Sequence, residues 1–490
     1  MNWHKNLFWL FLLGVSITAL ISCYFEVYPY LWFSLTLFVL GILFIFHFCR
    51  FSRYSPLVKI YAIAYALPFI HLLPYLWFDW STQPQVLWGL AVNPYMIDRE
   101  VIKIMAIIGG IGVCGFALGM GLVRNNLRTG ALYQTYQYKI KGGSLGFTVF
   151  LFLGIISLLL SWMVAPSETI FQLPYTASFS FLEKVVFSLP SAWMLSYGIL
   201  IWLFADALHD RFEQRRRKKI GLSMCVFCVI VIWLQFMRGD RECVPLIVSF
   251  VFMWFFWKDK LPWYSQPAKR KVKLFPLAAM ASILLFASFF FGAARSMLSS
   301  MSISDTISFV WERFSFSSLF CGTWSAVLMT PLSVAGDYLN NLLELKWGST
   351  YLDLLLSIPP GAFADLVGYV RPIDGLHGPA WEMRYGIGGT HAVVVPFMNF
   401  GFAGAFFIMM FIGYGLGRIE RYASNKVGVA QMMLLGILVM AAPHWFWYGE
   451  KSGMNAIIIW ALLCLAHKFL IAINKSRITY DVNKSICAES

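Results

Sequence analysis

The chain has 490 residues, of which 59% are hydrophobic and 13% are charged, and it carries a formal net charge of +14 at pH 7. Its mean hydropathy is +0.69. These values exclude a soluble globular protein, in which about 25% of the residues are charged. The apolar runs do not alternate with polar residues as the strands of a membrane β-barrel do, so we predict membrane-spanning helices.

About twelve apolar runs approach the ~20 residues that a helix needs to cross a bilayer. The first run follows Lys5 and lacks a small-x-small cleavage site, so we expect a retained helix rather than a signal peptide. The eighth run is short and is expected to gain a turn from the charged residues before it. In chain order the runs are 7–25, 30–49, 60–78, 101–123, 144–164, 185–205, 220–236, 243–257, 274–294, 396–417, 427–447 and 454–473. The sequence therefore predicts an all-α, polytopic integral membrane protein with about twelve transmembrane helices.

Basic residues indicate how these helices are oriented, because Lys and Arg next to a span are retained on the cytoplasmic side. If the N-terminus is cytoplasmic, most of the 38 Lys and Arg residues fall in inner segments, and most of the 24 Asp and Glu residues fall in outer ones. A wrong number of spans would place every later segment on the opposite side of the membrane. This distribution therefore favours twelve helices with both termini in the cytoplasm. The excess of basic residues is thus explained by membrane topology. We therefore predict membrane lipids as partners and do not predict nucleic acid.

One predicted exterior segment, residues 295–395, is much longer than the others. It contains apolar pieces such as YLDLLLSI, which predict helices lying on the membrane or dipping into it, and turn-rich stretches such as VRPIDGLHGP. Long ordered loops usually carry function. We therefore divide the chain into transmembrane helices 1–9 over residues 1–294, this large outer loop with short helices over 295–395, and transmembrane helices 10–12 with a cytoplasmic tail over 396–490.

Glycines in the predicted spans are interpreted as packing positions. The stretch GGIGVCGFALGMG, residues 109–121, has the spacing of a dinucleotide-binding loop but lies inside a predicted helix, so Gly115 and Gly119 are expected to let a neighbouring helix approach. The same interpretation applies to Gly413, Gly415 and Gly417. A CxxC in the seventh predicted helix has no second ligand pair, so no metal site is predicted.

Four charged residues, Arg238, Asp240, Arg241 and Glu242, separate the seventh and eighth apolar runs. The span count predicts that they lie at the outer face, together with Arg295 just after the ninth run. Guanidinium groups present a planar fork of donors that binds phosphate oxygens. A diphosphate at the outer leaflet is the anion that fits this pattern best. The alternative is that Arg–Asp or Arg–Glu pairs within the cluster cap two helices.

Two further groups on the same predicted face carry ionisable side chains. His391 lies in GIGGTHAVV, where small residues would let the backbone approach a ligand, and a histidine can accept a proton from an attacking hydroxyl. The alternative for His391 is an ordinary hydrogen-bonding role. Glu450 and Lys451 follow the eleventh run, and they either line the same cavity or anchor the helix end beside aromatic residues.

The layout resembles the Wzy-type O-antigen and oligosaccharide repeat unit polymerases of bacterial surface polysaccharide synthesis, including the enterobacterial common antigen branch. In RGDRECVPLIVSF, Gly239 and Arg241 are similar to that family's Gly-x-Arg before an apolar run. In GAARS, Arg295 is similar to an arginine after a span. The segment GIGGTHAVVVPFMNFGFAG is similar to the family's small-residue stretch and its NFG..G motif, which falls on Asn399, Phe400, Gly401 and Gly404. The resemblance covers residues 220–420 and matches neither Arg238 nor the Asp240 and Glu242 pair.

This resemblance implies a GT-C-like glycosyltransferase of the bacterial inner membrane, with its active site at the periplasmic face. It would join a glycan on one undecaprenyl diphosphate to the repeat unit on another, and a chain-length regulator is a possible partner. Arg241 and Arg295 are predicted to bind the diphosphate without a metal or cofactor, because arginines placed where charge develops stabilise the transition state. His391 is the predicted base. The residues predicted to support substrate binding are Arg238, Arg371, Arg384 and Lys451.

Two alternatives stay open at this stage. An O-antigen ligase would use the same donor on the same face, with a lipid A-core acceptor. A lipid-linked oligosaccharide flippase or other transporter would use the cationic site for transport, but flippases tend to show two related halves and cationic side chains in a central cavity. Neither feature is evident in this sequence, and charges deep within the predicted spans are nearly absent.

Overall fold

The computed structural model describes residues 56–66, 68–69, 98–123, 193–213, 243–260, 303–312, 316–358, 367–369, 389–425 and 428–489. These residues are helical apart from short turns and connections, and no β-strand occurs among them. The helices are α1 Pro56–Ala66, α2 Arg99–Gly121, α3 Trp193–Glu213, α4 Cys243–Lys260, α5 Ile303–Glu312, α6 Phe316–Leu339, α7 Ser349–Leu356, α8 Val394–Asn425, α9 Val429–Tyr448 and α10 Glu450–Glu489. The all-α prediction is confirmed for this part of the chain.

Four of the described helices are long and apolar enough to cross a membrane. They span Glu100–Gly121, Val394–Ala423, Val429–Tyr448 and Glu450–Phe469, and they correspond to the predicted runs 101–123, 396–417, 427–447 and 454–473. Shorter apolar helices at Leu57–Ala66, Tyr197–Asp206 and Val244–Trp254 overlap three further runs. The predicted runs 7–25, 30–49, 144–164, 220–236 and 274–294 lie outside the described residues. The chain is thus a helical membrane protein, and the count of twelve spans stays a prediction.

The chain divides into two compact units. The first comprises Met1–Asn126, Arg313–Tyr422 and Ala442–Gly453, and the second comprises Leu127–Glu312, Ala423–Ala441 and Met454–Ser490.

In the first unit, glycines bring α2 and α8 into backbone contact. A Cβ at Gly115 would overlap the carbonyl of Phe406, and one at Gly119 would overlap that of Met410. Gly413 faces the carbonyl of Phe116 in the same way. The interpretation of these glycines as packing positions is confirmed, because close approach of two membrane helices needs residues without side chains. For Gly415 that interpretation is not borne out, since none of the described residues lies within 4 Å of its Cβ position.

The predicted outer segment 295–395 contains helices, and the longest of those described is α6. Helix α6 has 24 residues and contains Pro331, it packs along α2, and its turns around Val327 and Ala335 are buried. The segment therefore contributes to the core of the first unit. Its assignment to the outer face stays a prediction.

In the second unit, α3 and α4 pack together and contact the start of α9. The Ser249 hydroxyl donates to the Gly436 carbonyl at 2.8 Å, and Gly436 itself faces Met253 and Ile201. In the same unit, α10 contacts the start of α9, since the indole of Trp460 donates to the carbonyl of Ala430 at 2.9 Å. The turn between these two helices belongs to the first unit and lies at Gly449, whose φ is 100°.

Candidate functional site

Only two of the seven predicted site residues belong to the described part of the chain, namely His391 and Lys451. Lys451 is exposed at the start of α10. The other five, Arg238, Arg241, Arg295, Arg371 and Arg384, lie outside the described residues, and their roles stay predictions.

His391 sits in the short segment that leads into α8, and its side chain is completely buried. Its Nε2 atom lies 3.0 Å from the carbonyl oxygen of Tyr65, so Nε2 carries the hydrogen and donates it. Its Nδ1 atom then accepts the backbone N–H of Val393 at 3.3 Å. The rings of Tyr65 and Phe69 stand edge-to-face against the imidazole, with centroid distances of 4.7 and 5.1 Å.

This environment keeps His391 neutral. Burial lowers its pKa from the ordinary 6.5 to about 4, and the hydrogen bond with the Tyr65 carbonyl opposes that change only in part. A neutral imidazole has one acceptor nitrogen, and here that nitrogen holds the Val393 amide. To take a proton from a substrate, His391 would have to release this bond, so its role as general base stays a prediction.

The NFG..G motif forms a kink in α8. Phe400 has φ −138° and ψ 17°, and Gly401 has φ 64° and ψ −150°, a left-handed φ that glycine adopts readily. Gly404 packs directly against the carbonyl of Pro396. A kink of this kind removes helical hydrogen bonds, and the freed carbonyls need other partners in an apolar setting.

The segment between α6 and α7 supplies those partners. The backbone N–H of Lys346 donates to the Met398 carbonyl at 3.0 Å, and that of Trp347 donates to the Asn399 carbonyl at 3.1 Å. Gly348 then turns with φ 89° and leads into α7. The segment before α7 is thereby fixed to the kink by backbone hydrogen bonds.

The Asn399 side chain completes this attachment from within the helix. It is fully buried, and its Nδ2 group donates to the hydroxyl of Thr350 at 2.6 Å and to the carbonyl of Val395 at 2.8 Å. Its Oδ1 atom accepts the N–H of Gly348 at 2.9 Å. Each polar atom of the amide thus has a partner, which is what a buried amide requires.

A buried carboxyl group lies near the same attachment. Glu450 is the first residue of α10 and is only 9% exposed. The phenol of Tyr351, on α7, donates to the Oε1 atom of Glu450 at 3.4 Å, while the Oε2 atom of Glu450 has no hydrogen-bond partner in the described part of the chain. Burial raises the pKa of Tyr351 well above its ordinary value, and the charge and hydrogen bond of Glu450 raise it further, so the phenol stays protonated.

Among the described residues of the first unit, three more buried polar groups lack a hydrogen-bond partner. They are the hydroxyls of Thr330 and Thr390 and the indole N–H of Trp445. The segments that carry them meet, because Gly389 lies against the backbone of Val327 and the carbonyl of Trp447. Unsatisfied buried groups are uncommon in proteins, so each of these three is a candidate for pairing with a ligand or a water molecule.

The sequence drew attention to Asn399 and Glu450 but not to their partners. Thr350 and Tyr351 lie in a leucine-rich stretch that predicts an amphipathic helix and carries no other signal. Their contacts span 49 and 99 residues of chain. A single sequence contains no information about contacts at such separations.

Comparison with known proteins assigns no family. No protein-family model matches the chain, and no curated protein or solved structure is significantly similar to it. The resemblance to polymerases therefore rests on the quoted motifs. Of these, the structure describes the end of the small-residue stretch and the NFG..G motif.

Proposed function

We propose that the chain is a polysaccharide polymerase, a metal-independent glycosyltransferase that joins undecaprenyl-diphosphate-linked oligosaccharide repeat units at the periplasmic face of the bacterial inner membrane. In this proposal twelve helices cross the membrane, both termini are cytoplasmic, and residues 295–395 form the large periplasmic segment. The products are O-antigen or a related surface polysaccharide.

The observation that carries the proposal is the attachment of residues 346–351 to two candidate spans. These residues contact α8 at its kink and α10 at Glu450. A lipid-linked glycan needs a site at the end of a span, because its lipid lies in the bilayer while its sugars lie in water. Buried hydrogen-bonding groups at such a junction are the kind that bind sugar hydroxyls.

The predicted arginines are proposed to bind the diphosphate and to stabilise it as the leaving group. Arg241 and Arg295 bind the diphosphate of the donor, with Arg238, Arg371, Arg384 and Lys451 as supporting cations. A hydroxyl of the acceptor repeat unit attacks the anomeric carbon of the donor glycan, and the bond to undecaprenyl diphosphate breaks. The arginines stabilise the charge that develops on the leaving diphosphate. A chain-length regulator is the expected protein partner.

A strain deleted for the gene, with and without a restored copy, tests this proposal. Surface polysaccharide is separated on a gel, and loss of the ladder to a core bearing a single repeat unit is the result we expect. Bare core with long polymer still on undecaprenyl diphosphate would instead identify a ligase. Repeat units trapped at the cytoplasmic face would identify a flippase.

A further inference from the structure

Glu450 combines burial with an unsatisfied oxygen. It is the first residue of α10 and is buried, and a buried carboxylate is costly unless it is paired. A buried structural carboxylate normally has partners for both oxygens. Among the described residues, Oε2 of Glu450 has none, while Oε1 has one long bond. One oxygen is therefore held, and the other is a buried acceptor whose unmet hydrogen-bonding capacity suits a ligand hydroxyl.

Tyr351 is suited to orienting this carboxylate. Its phenol is protonated and can only donate to Glu450, so it draws Oε1 toward α7 and leaves Oε2 open. Tyr351 belongs to the segment that is hydrogen-bonded to the kink of α8. The orientation of Glu450 is thus coupled to the attachment of that segment.

A second unsatisfied polar group lies against the first turn of α10. Gly453 follows Glu450 by three residues and so lies on the same face of that helix. Gly453 packs directly on the indole ring of Trp445, and the buried N–H of that indole has no hydrogen-bond partner among the described residues. Sugar hydroxyls both donate and accept hydrogen bonds, so they can pair with an unsatisfied donor and an unsatisfied acceptor of this kind.

We propose that Glu450 is the catalytic base of the polymerase and that Tyr351 is its positioning residue; this inference rests on the proposed function. The acceptor hydroxyl transfers its proton to Oε2 of Glu450, and its oxygen forms the new bond to the anomeric carbon of the donor. The bond between that carbon and the diphosphate oxygen breaks, and its electron pair leaves with undecaprenyl diphosphate. Glu450 fills this role better than His391, whose acceptor nitrogen is occupied by Val393.

The test uses the full-length protein in liposomes with undecaprenyl-diphosphate-linked repeat unit extracted from the deletion strain. Glu450→Gln is expected to lower kcat at least ~100-fold, the usual contribution of general base catalysis, with KM unchanged. Tyr351→Phe is expected to lower kcat roughly tenfold, also with KM unchanged, because the carboxylate is no longer oriented. Glu344→Gln, which alters an exposed glutamate between α6 and α7, is the matched control and should behave as the wild type.

A second measurement needs no variant, and it tests the role of Glu450 if Glu450→Gln does not fold. Dicyclohexylcarbodiimide, which reacts with carboxyl groups in apolar surroundings, is applied to the wild-type protein, and the peptide containing Glu450 is examined by mass spectrometry. Labelling that is suppressed by the lipid-linked repeat unit supports the proposal. No labelling, or labelling unchanged by the repeat unit, overturns it.

The failure of this inference is distinguishable from failure of the proposed function. If the wild type polymerises and Glu450→Gln polymerises at the same rate, Glu450 is not the base and the polymerase stands. If the wild type forms no polymer, the proposed function fails and the assignment of Glu450 fails with it.

Discussion

His391 shows what burial does to one ionisable side chain. Because its pKa is lowered to about 4, the folded protein binds this proton only below that pH, whereas the unfolded chain binds it below about 6.5. His391 therefore costs no stability above pH 6.5. As the pH falls from 6.5 to 4, the unfolded state gains protons that the folded state does not, and stability decreases.

Because of this single residue, the free energy of unfolding is predicted to fall by roughly 3 kcal/mol across that pH range. His391→Gln keeps a donor for the Tyr65 carbonyl but does not titrate, so its stability should fall less between pH 7 and pH 4. Thermal unfolding in detergent, followed by tryptophan fluorescence at several pH values, measures the difference. Parallel pH dependence in the two proteins would show that His391 is not held neutral by burial.

Asn399 is predicted to hold the segment before α7 on the kink of α8. Asn399→Ala removes three side-chain hydrogen bonds and leaves the Gly348 N–H unpaired, at a cost of about 2 kcal/mol. Because Lys346 lies in this segment and is exposed, trypsin should cleave after it faster in the variant. Asn340→Ala, at an exposed position of the same segment, is the control. Equal cleavage rates in both variants would contradict the role of Asn399.

Among the helices, Gly119 in α2 and Gly415 in α8 allow helix packing and helix propensity to be tested separately. Gly119→Ala would place a methyl group on the Met410 carbonyl, and such overpacking costs about 1–3 kcal/mol. Gly415→Ala meets no neighbour among the described residues and should be neutral or stabilising by up to about 1 kcal/mol, because alanine favours a helix. Thermal unfolding of both variants in detergent checks this pair. A Gly119→Ala protein as stable as the Gly415→Ala protein would mean that α2 and α8 do not touch here.

Hydrophobic length was enough to find helices α8 and α9 and the apolar part of α10. It could not reveal the kink at Phe400 and Gly401, since a glycine in an apolar run predicts close packing as readily as a bend. The apolar pieces of residues 295–395 predicted helices on the membrane or dipping into it, but they could not reveal that α6 packs along α2. That contact joins helices about two hundred residues apart in the chain and becomes visible only in three dimensions.

For the candidate site, sequence reasoning found residue types but not their surroundings. The small residues around His391 predicted that the backbone could approach a ligand there, but not that the imidazole would be buried with the rings of Tyr65 and Phe69 against it. Glu450 was noticed only as part of an exterior charged pair with Lys451. Its burial and its contact with Tyr351, which lies 99 residues away in the chain, could not be predicted from the sequence.

For the molecule as a whole, we propose that this membrane protein extends a lipid-linked glycan. The most direct measurement is polymer formation by the purified protein in liposomes supplied only with undecaprenyl-diphosphate-linked repeat unit. We predict a ladder of products from the wild type and none from Arg241→Ala, although that variant should insert normally. A wild-type protein that leaves the single repeat units unchanged would contradict the claim.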